Sequence, residues 1–248
     1  MPAKKHILTA AAAFAVTLGT TPATATTIRN HEMTCPVGGK TFTARVMGST
    51  TYVGQRPDGR DYLAPPFMVP ECPDNGLPLY RTFKPDEIPA LTKLVLGAEF
   101  QALRQDNAAY RTYWLMEKMG DGDAMSRSWL LNIASQLEDE NPAKKARYQH
   151  LFAERAATFP ADPSNIHNNE YYIMQARAAN AWRELGEFDR AKSVLAAIPL
   201  DELKDINKAT KDSPAESRLK LADFIEKLGK VIARKDAASE PLGFRPKE

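Results

Sequence analysis

The sequence predicts a mainly α-helical protein with a small N-terminal module rich in β structure and loops. Apolar residues recur at helical spacing from about residue 85 onward, whereas eight of the 18 prolines crowd between Pro57 and Pro89. Both cysteines, Cys35 and Cys72, also fall in the N-terminal third. Helix-period and extended segments therefore occupy different parts of the chain.

The 248 residues open with Lys4-Lys5-His6, an apolar run from Ile7 to Gly19, and Thr20-Thr21-Pro22-Ala23-Thr24-Ala25. A basic start, about a dozen apolar residues and an Ala-x-Ala ending are the three parts of a secretory signal peptide. Residues 1–25 are expected to be cut after Ala25, which makes the protein periplasmic or secreted. The run is shorter than the roughly 20 residues of a membrane-spanning helix, and no transmembrane segment is expected after cleavage. Losing Lys4 and Lys5 with no acid turns 33 basic and 31 acidic residues into 31 of each. A neutral chain carries no electrostatic case for a nucleic-acid partner. A hydrophobic fraction of 43% excludes a wholly disordered chain. Two cysteines exclude a disulfide-dense scaffold and a four-thiolate zinc site.

Residues 26–84 form the expected module. Thr41-Phe42-Thr43-Ala44-Arg45-Val46 alternates as a half-buried strand does, Thr51-Tyr52-Val53 suggests a second strand, and Pro57-Asp58-Gly59-Arg60 is a turn signal. So short a segment with few large apolar groups is marginal alone. A covalent staple or packing against the body is expected.

Residues 85–200 read as a helical body. Asp86 is placed to cap a helix carrying Leu91, Leu94, Val95, Ala98 and Ala102, and Asp106 precedes one with Tyr110, Tyr113 and Trp114. Gly120-Asp121-Gly122-Asp123 leads into a third helix with Met125, Trp129, Leu130, Ile133 and Leu137. Asn141-Pro142 starts a fourth, with Tyr148, Leu151, Phe152 and Phe159. Asn169 to Leu185 and Asp189 to Ile198 make a helix–turn–helix pair. Residues 201–236 comprise a linker and a last helix behind the capping box Ser213-Pro214-Ala215-Glu216, with Leu221, Phe224, Ile225, Leu228, Val231 and Ile232 at helical spacing. Residues 237–248 are a polar, loose tail.

Two resemblances refine this. Ala178-Ala179, Trp182, Leu185-Gly186, Phe188 and Ala191 resemble the tetratricopeptide (TPR) pattern, in which small residues let two helices approach and glycine makes the turn. Leu195 continues the second helix, Pro199 shortens the repeat, and a weaker echo runs from Tyr110 to Trp129. At the other end, Cys35-Pro36-Val37-Gly38-Gly39-Lys40-Thr41-Phe42 and Cys72-Pro73-Asp74-Asn75-Gly76 resemble zinc-ribbon knuckles of the form Cys-Pro-x-Cys-Gly, with Gly38 and Asn75 where the second cysteines would stand. Together they resemble a bacterial domain-of-unknown-function family with a Cys-Pro-x-Cys ribbon ahead of TPR-like helices, over roughly residues 34–199. The resemblance implies an architecture and no activity. It also implies how the module is held. Paired zinc-bound sulfurs lie about 3.7–3.8 Å apart, close enough for a local adjustment to bring Cys35 and Cys72 into a disulfide in an oxidising compartment.

No Gly-x-Ser-x-Gly, His-Glu-x-x-His, Walker A or dinucleotide fingerprint is present. No cofactor is expected. Gly120-Asp121-Gly122-Asp123 lacks the later ligands of a calcium loop. Glu138-Asp139-Glu140 reads as a solvated helix end, His150 and His167 as surface or loop histidines, and Trp114, Trp129 and Trp182 as core. On a TPR-like body the concave face would carry Asn180, Arg183 and Glu184, spaced to share one side of a helix and able to hold a peptide backbone or carboxylate. Arg177 falls nearer the edge. The expected function is an exported, non-enzymatic scaffold or adaptor binding a protein or peptide in the cell envelope. Competing expectations are an envelope-active hydrolase with a cleft between ribbon and helices, and a metal-binding protein using Cys35, Cys72, His31 and a carboxylate from Glu32, Glu71 or Asp74.

Overall fold

The structure is a computed structural model that describes residues 27–51, 54–62, 67–159, 169–211 and 213–241. The signal peptide at 1–25, Tyr52-Val53 of the expected strand, His167, and residues 242–248 of the expected tail lie outside the described residues. The protein is mainly helical, with 55% helix in nine helices and one two-stranded sheet among the described residues.

Strands β1 (Thr27–Thr34) and β2 (Thr41–Ser49) pair antiparallel, with Arg29 opposite Val46, His31 opposite Ala44 and Met33 opposite Phe42. Strand β2 contains the expected 41–46 run, while β1 has no alternation in sequence. Its residues are almost all exposed, so neither face needed an apolar set. The chain between the strands is the first of two loops with one hydrogen-bonding pattern. The Cys35 N–H donates to the Lys40 carbonyl (2.9 Å) and the Gly39 N–H to the Cys35 carbonyl (3.1 Å). The Cys72 N–H donates to the Leu77 carbonyl (2.9 Å) and the Gly76 N–H to the Cys72 carbonyl (2.8 Å). A disulfide joins Cys35 to Cys72, Cα to Cα 5.6 Å. Beside it, the buried Asn75 side chain donates to the Val37 carbonyl (3.0 Å) and accepts from the Leu77 N–H (3.0 Å). One amide thus ties the loops to each other.

The helices follow as α1 (Ile88–Leu96), α2 (Ala98–Ala102), α3 (Ala108–Met119), α4 (Ala124–Gln136), α5 (Pro142–Ala157), α6 (Asn169–Glu184), α7 (Phe188–Ala196), α8 (Leu200–Lys204) and α9 (Ala215–Ala233). Their starts are written locally. Side chains of Asn107, Asp123 and Asn141 accept the N–H groups of Tyr110, Ser126 and Lys144 at 3.1, 2.7 and 3.2 Å. Three expected details differ. The helix expected across Leu91 to Ala102 breaks at the extended Gly97 into α1 and α2, and Asp86 does not cap it. Asn107 caps α3, which leaves Asp106 to accept from Arg147 (3.0 Å) and the Tyr148 hydroxyl (2.5 Å). The capping box of α9 does not form, because the Ser213 hydroxyl turns inward to Asn169 Oδ1 (2.7 Å).

Neighbours in sequence pack in space: α3 on α4, α4 on α5, α5 on α6, α6 on α7, with α9 closing over α6, α7 and α8. The main core draws Leu131, Phe152, Met174, Trp182 and Leu228 together around Ala153, Ala156, Ala178, Ala179, Ala181 and Ala191, whose small side chains permit close helix approach. At the α6–α7 turn Gly186 has φ +81°, a left-handed position that favours glycine. A second core is shared between the module and the body: Cys35, Val37, Cys72, Leu77 and Phe83 pack with Leu91, Val95, Phe100 and Leu115. Trp114 and Trp129 pack partly buried against these cores, as expected.

Opening a loop closed by residues 37 apart should cost on the order of 3–4 kcal/mol in the chain-entropy model. Urea unfolding of the Cys35→Ser, Cys72→Ser double variant is expected to show that loss. Gly76→Ala should destabilise as well, since Gly76 has φ +74° and an added Cβ would lie 2.6 Å from Arg111 Nη1. Its urea midpoint should fall below that of the unaltered protein.

Candidate functional site

Two irregular segments lie across the helical body, and side chains of the body hold them by their main chain. Residues 54–61 fold back on themselves through the Arg56 N–H to the Arg60 carbonyl (2.8 Å). Asn132 and Gln136 of α4 donate to the Asp58 carbonyl at 2.9 and 2.8 Å. Arg177 of α6 donates through Nη1 to the Arg56 and Pro57 carbonyls (3.1 and 2.6 Å) and through Nη2 to Gln55 Oε1 (3.0 Å). Arg183, two turns further along α6, sends Nη1 to the Asp236 and Ala238 carbonyls (2.5 and 2.8 Å). Five main-chain carbonyls are therefore held by four side chains of α4 and α6.

The three residues expected on an exposed concave face are together, and they are covered. Asn180 is 1% and Arg183 0% exposed, and the Glu184 side chain is 3% exposed. Arg183 Nε and Nη2 both donate to Asn180 Oδ1 (3.0 and 2.8 Å), and Asn180 Nδ2 donates to Glu184 Oε1 (2.9 Å). Gln149 and Lys145 of α5 reach Glu184 Oε2 at 2.7 and 3.4 Å, and Lys145 Nζ also donates to Ser239 Oγ (3.0 Å). The cause of the burial is the segment after α9. The tail was expected to be loose from residue 237, yet the Asp236 and Ala238 carbonyls, Ser239 and the buried Pro241 hold residues 236–241 on the body. Arg183 does hold main-chain carbonyls, and they belong to residues 236 and 238 of this chain.

Ion pairs brace the same face. Arg56, 7% exposed, pairs with Asp58 and with Asp139 (2.5 Å), and Arg60 and Lys145 join Asp139 at 2.6 and 2.9 Å. Asp139 is thus an anchor and not the solvated helix end expected. Glu138 also has a partner, accepting from Asn107 Nδ2 at 2.8 Å. Partial burial raises the Asp139 carboxyl, but the hydrogen bonds from Arg56 and Lys145 outweigh it and hold the group at about 2. Burial lowers the Arg183 guanidinium from its ordinary value, and the neighbouring Glu184 opposes that.

The residues of the metal expectation are dispersed. Both sulfurs are in the disulfide, His31 and Glu32 are exposed on β1, Glu71 pairs with Arg111, and Asp74 pairs with Lys40 at 2.5 Å. Among the described residues no three His, Cys, Asp or Glu side chains stand together as a metal site. At the Gly120–Asp123 turn, Asp121 accepts from Arg81 Nε (2.8 Å) and the Tyr80 hydroxyl (2.5 Å). His150 lies against Trp182 edge-on, with Nδ1 3.3 Å from Glu154. Every described carboxyl group with a resolved shift moves downward: Glu87, Asp123, Asp139, Glu216 and Asp236.

Sequence reasoning missed Arg177, Asn132 and Gln136. Their spacing shows which helix sides they occupy, but only the tertiary path of residues 54–61 gives them a role. The Pro57-Asp58-Gly59 turn was the available signal, since its own bond from the Gly59 N–H serves the Arg56 carbonyl (2.9 Å) and leaves those of Pro57 and Asp58 to find donors elsewhere. Among the described residues no helix is long and apolar enough to cross a membrane. Compared with protein-family models, curated proteins and solved structures, the chain gives no match.

Asp139→Asn should lower stability by about 1–3 kcal/mol at neutral pH, as expected when a hydrogen-bonded ion partner is withdrawn from largely buried cations. With its folded value near 2 and an ordinary value of 3.8, Asp139 contributes stability above pH 4 that disappears as pH falls toward 2. Glu87 adds the same sign, held at about 2 by Arg81 and the Lys84 N–H. Urea midpoints measured from pH 7 to pH 2 should fall steeply below about pH 4. The fall should be shallower in the Asp139→Asn protein.

Proposed function

We propose that this is an exported, non-enzymatic scaffold that binds protein or peptide partners in the cell envelope through a TPR-like helical body. The observation that carries the reading is the set of five main-chain carbonyls held by Asn132, Gln136, Arg177 and Arg183. Contacts of this kind read polypeptide as polypeptide, with little demand on its side chains. Arginine suits the task, because its rigid fork reaches two acceptors with one group and stays charged where it is buried. Helices that pack on their chain neighbours around alanine, with Gly186 at the α6–α7 turn, support the repeat-like body.

The module supports the rest of the reading. Two loops with one hydrogen-bonding pattern are what two ribbon knuckles would leave behind. We read the Cys35–Cys72 bond and the Asn75 link to Val37 as replacing a metal as their connection. A disulfide-held module fits an oxidising compartment. The hydrolase and metal-binding alternatives gain no favouring observation, since the shifted carboxyls all serve as ion-pair or hydrogen-bond acceptors and both thiols are bonded.

The test is to express the full chain in a Gram-negative host, recover it from the periplasm, and select phage-displayed random peptides against it. N-terminal sequencing should begin at Thr26, and selected peptides should share a binding site and lose affinity at least tenfold on Arg177→Ala. Retention of Met1 in the cytosol removes the export part. Failure to enrich any peptide removes the binding part.

A further inference from the structure

Residues 236–241 differ from the other irregular segments in one respect: they can leave without unmaking a helix. Helix α9 ends at Ala233, and release of residues 236–241 costs it the single end-closing bond from the Asp236 N–H to the Val231 carbonyl (3.2 Å) and none of its internal bonds. Ala237 and Ala238 are exposed, whereas Arg183 beneath them is fully buried. What holds the segment is short and specific. Arg183 Nη1 reaches the carbonyls of residues 236 and 238, Lys145 Nζ and Glu184 Oε2 meet the hydroxyl of Ser239 at 3.0 and 3.4 Å, and Asp236 accepts from the Ala238 N–H (3.0 Å) and Arg234 (3.1 Å).

With residues 236–241 gone, Arg183 Nη1 would lose both main-chain acceptors and face water, while the rest of the guanidinium stays on Asn180. Other main chain that presents two carbonyls can take the vacated positions. The requirements can be read off the present occupant: carbonyls two residues apart, the first on the acidic residue, and a hydroxyl on the residue after the second. Nothing at residues 237 and 238 is read through a side chain, so specificity rests on shape, the two carbonyls and the hydroxyl.

We propose that Arg183, Asn180, Glu184 and Lys145 form a binding site for an extended peptide of the pattern acidic–x–x–Ser/Thr, which the chain occupies with its own residues 236–239 until a partner segment exchanges for them. This deepens the proposed function, on which it rests, by naming the ligand class and its built-in competitor. The attached segment acts at an effective concentration of about a millimolar, so a free peptide competes poorly with it in the unaltered protein. Regulation then needs no conformational change in the helices. It needs only that residues 236–241 let go.

The experiment uses the full chain and a fluorescein-labelled peptide Asp-Ala-Ala-Ser-Glu-Pro, the sequence of residues 236–241. A loosened protein, Asp236→Gly with Ser239→Gly, loses side-chain bonds of the segment and leaves the body untouched. Fluorescence anisotropy is expected to show saturable binding at least tenfold tighter to the loosened protein than to the unaltered one. A peptide with Ala for Ser should bind more weakly, and adding Arg183→Lys to the loosened protein should abolish binding with the helical circular dichroism retained. Equal affinity for the two proteins, or no saturation with the loosened protein folded, overturns the proposal. If the loosened protein does not fold, hydrogen exchange of the unaltered chain decides: residues 236–241 must exchange well before the centre of α9, and equal protection overturns the exchange mechanism. Library-selected peptides that bind both proteins equally would leave the scaffold reading standing and remove this site from it.

Discussion

Main-chain carbonyls that no helix or strand pairs must find donors, and this fold supplies arginines for them. Among the described residues between 54 and 87 the prolines leave a path with little regular structure, and that path is laid against helices. Arg111 of α3 enters the second cysteine loop to donate to the Gly76 carbonyl (2.6 Å). Arg60 donates to the Gln136 carbonyl (3.0 Å) at the end of α4, and Arg127 takes the Asp121 and Gly122 carbonyls, both at 3.0 Å. Arg177 and Arg183 do the same for residues 56–57 and 236–238. Hydrophobic burial holds helix to helix, but the attachment of the irregular parts is written in guanidinium groups. Lysine could not substitute at such places, because a point charge on a flexible stem does not hold two acceptors in fixed directions.

The small module shows the same dependence on its surroundings. Its β-hairpin is almost wholly exposed, and a two-stranded ribbon of that kind is marginal in water. Its order comes from below. The Cys35–Cys72 bond and Asn75 fix the two loops on each other, and Val37, Leu77 and Phe83 bury themselves in a core completed by α1, α2 and α3. Arg81 adds a bridge from the module to both Glu87 and Asp121 at 2.8 Å, lying 4.4 Å over the Phe83 ring. Module and body are therefore one packed unit along this seam.

Much of this was legible in the sequence, for identifiable reasons. Helices α3, α4 and α5 carry their own side-chain caps, and α3 to α7 have periodic apolar faces and small residues, so local rules suffice to find them. The pairing of Cys35 with Cys72 followed from the likeness of the loops around them. What escaped was whatever depends on long-range placement. Strand β1 has no polar–apolar alternation because neither of its faces is buried. Ser213 looks like a helix cap, but Asn169 offers its hydroxyl a buried partner 44 residues away. Asn180, Arg183 and Glu184 were rightly grouped on one side of α6, since spacing alone fixes that. Their burial was invisible, because it is made by a segment whose composition is that of a free tail. Asp139 belongs to the same class, its partners Arg56 and Arg60 lying about eighty residues earlier.

The grip of Arg183 on residues 236 and 238 also sets an order of events. The carbonyl acceptors of this guanidinium lie 53 and 55 residues further along the chain, whereas Asn180 and Glu184 are on its own helix. Helix α6 and its neighbours can therefore assemble with the arginine fork already seated on Asn180, and the main-chain bonds to residues 236 and 238 close last. The final irregular segment is thus laid over a body whose polar side chains are already arranged to receive it.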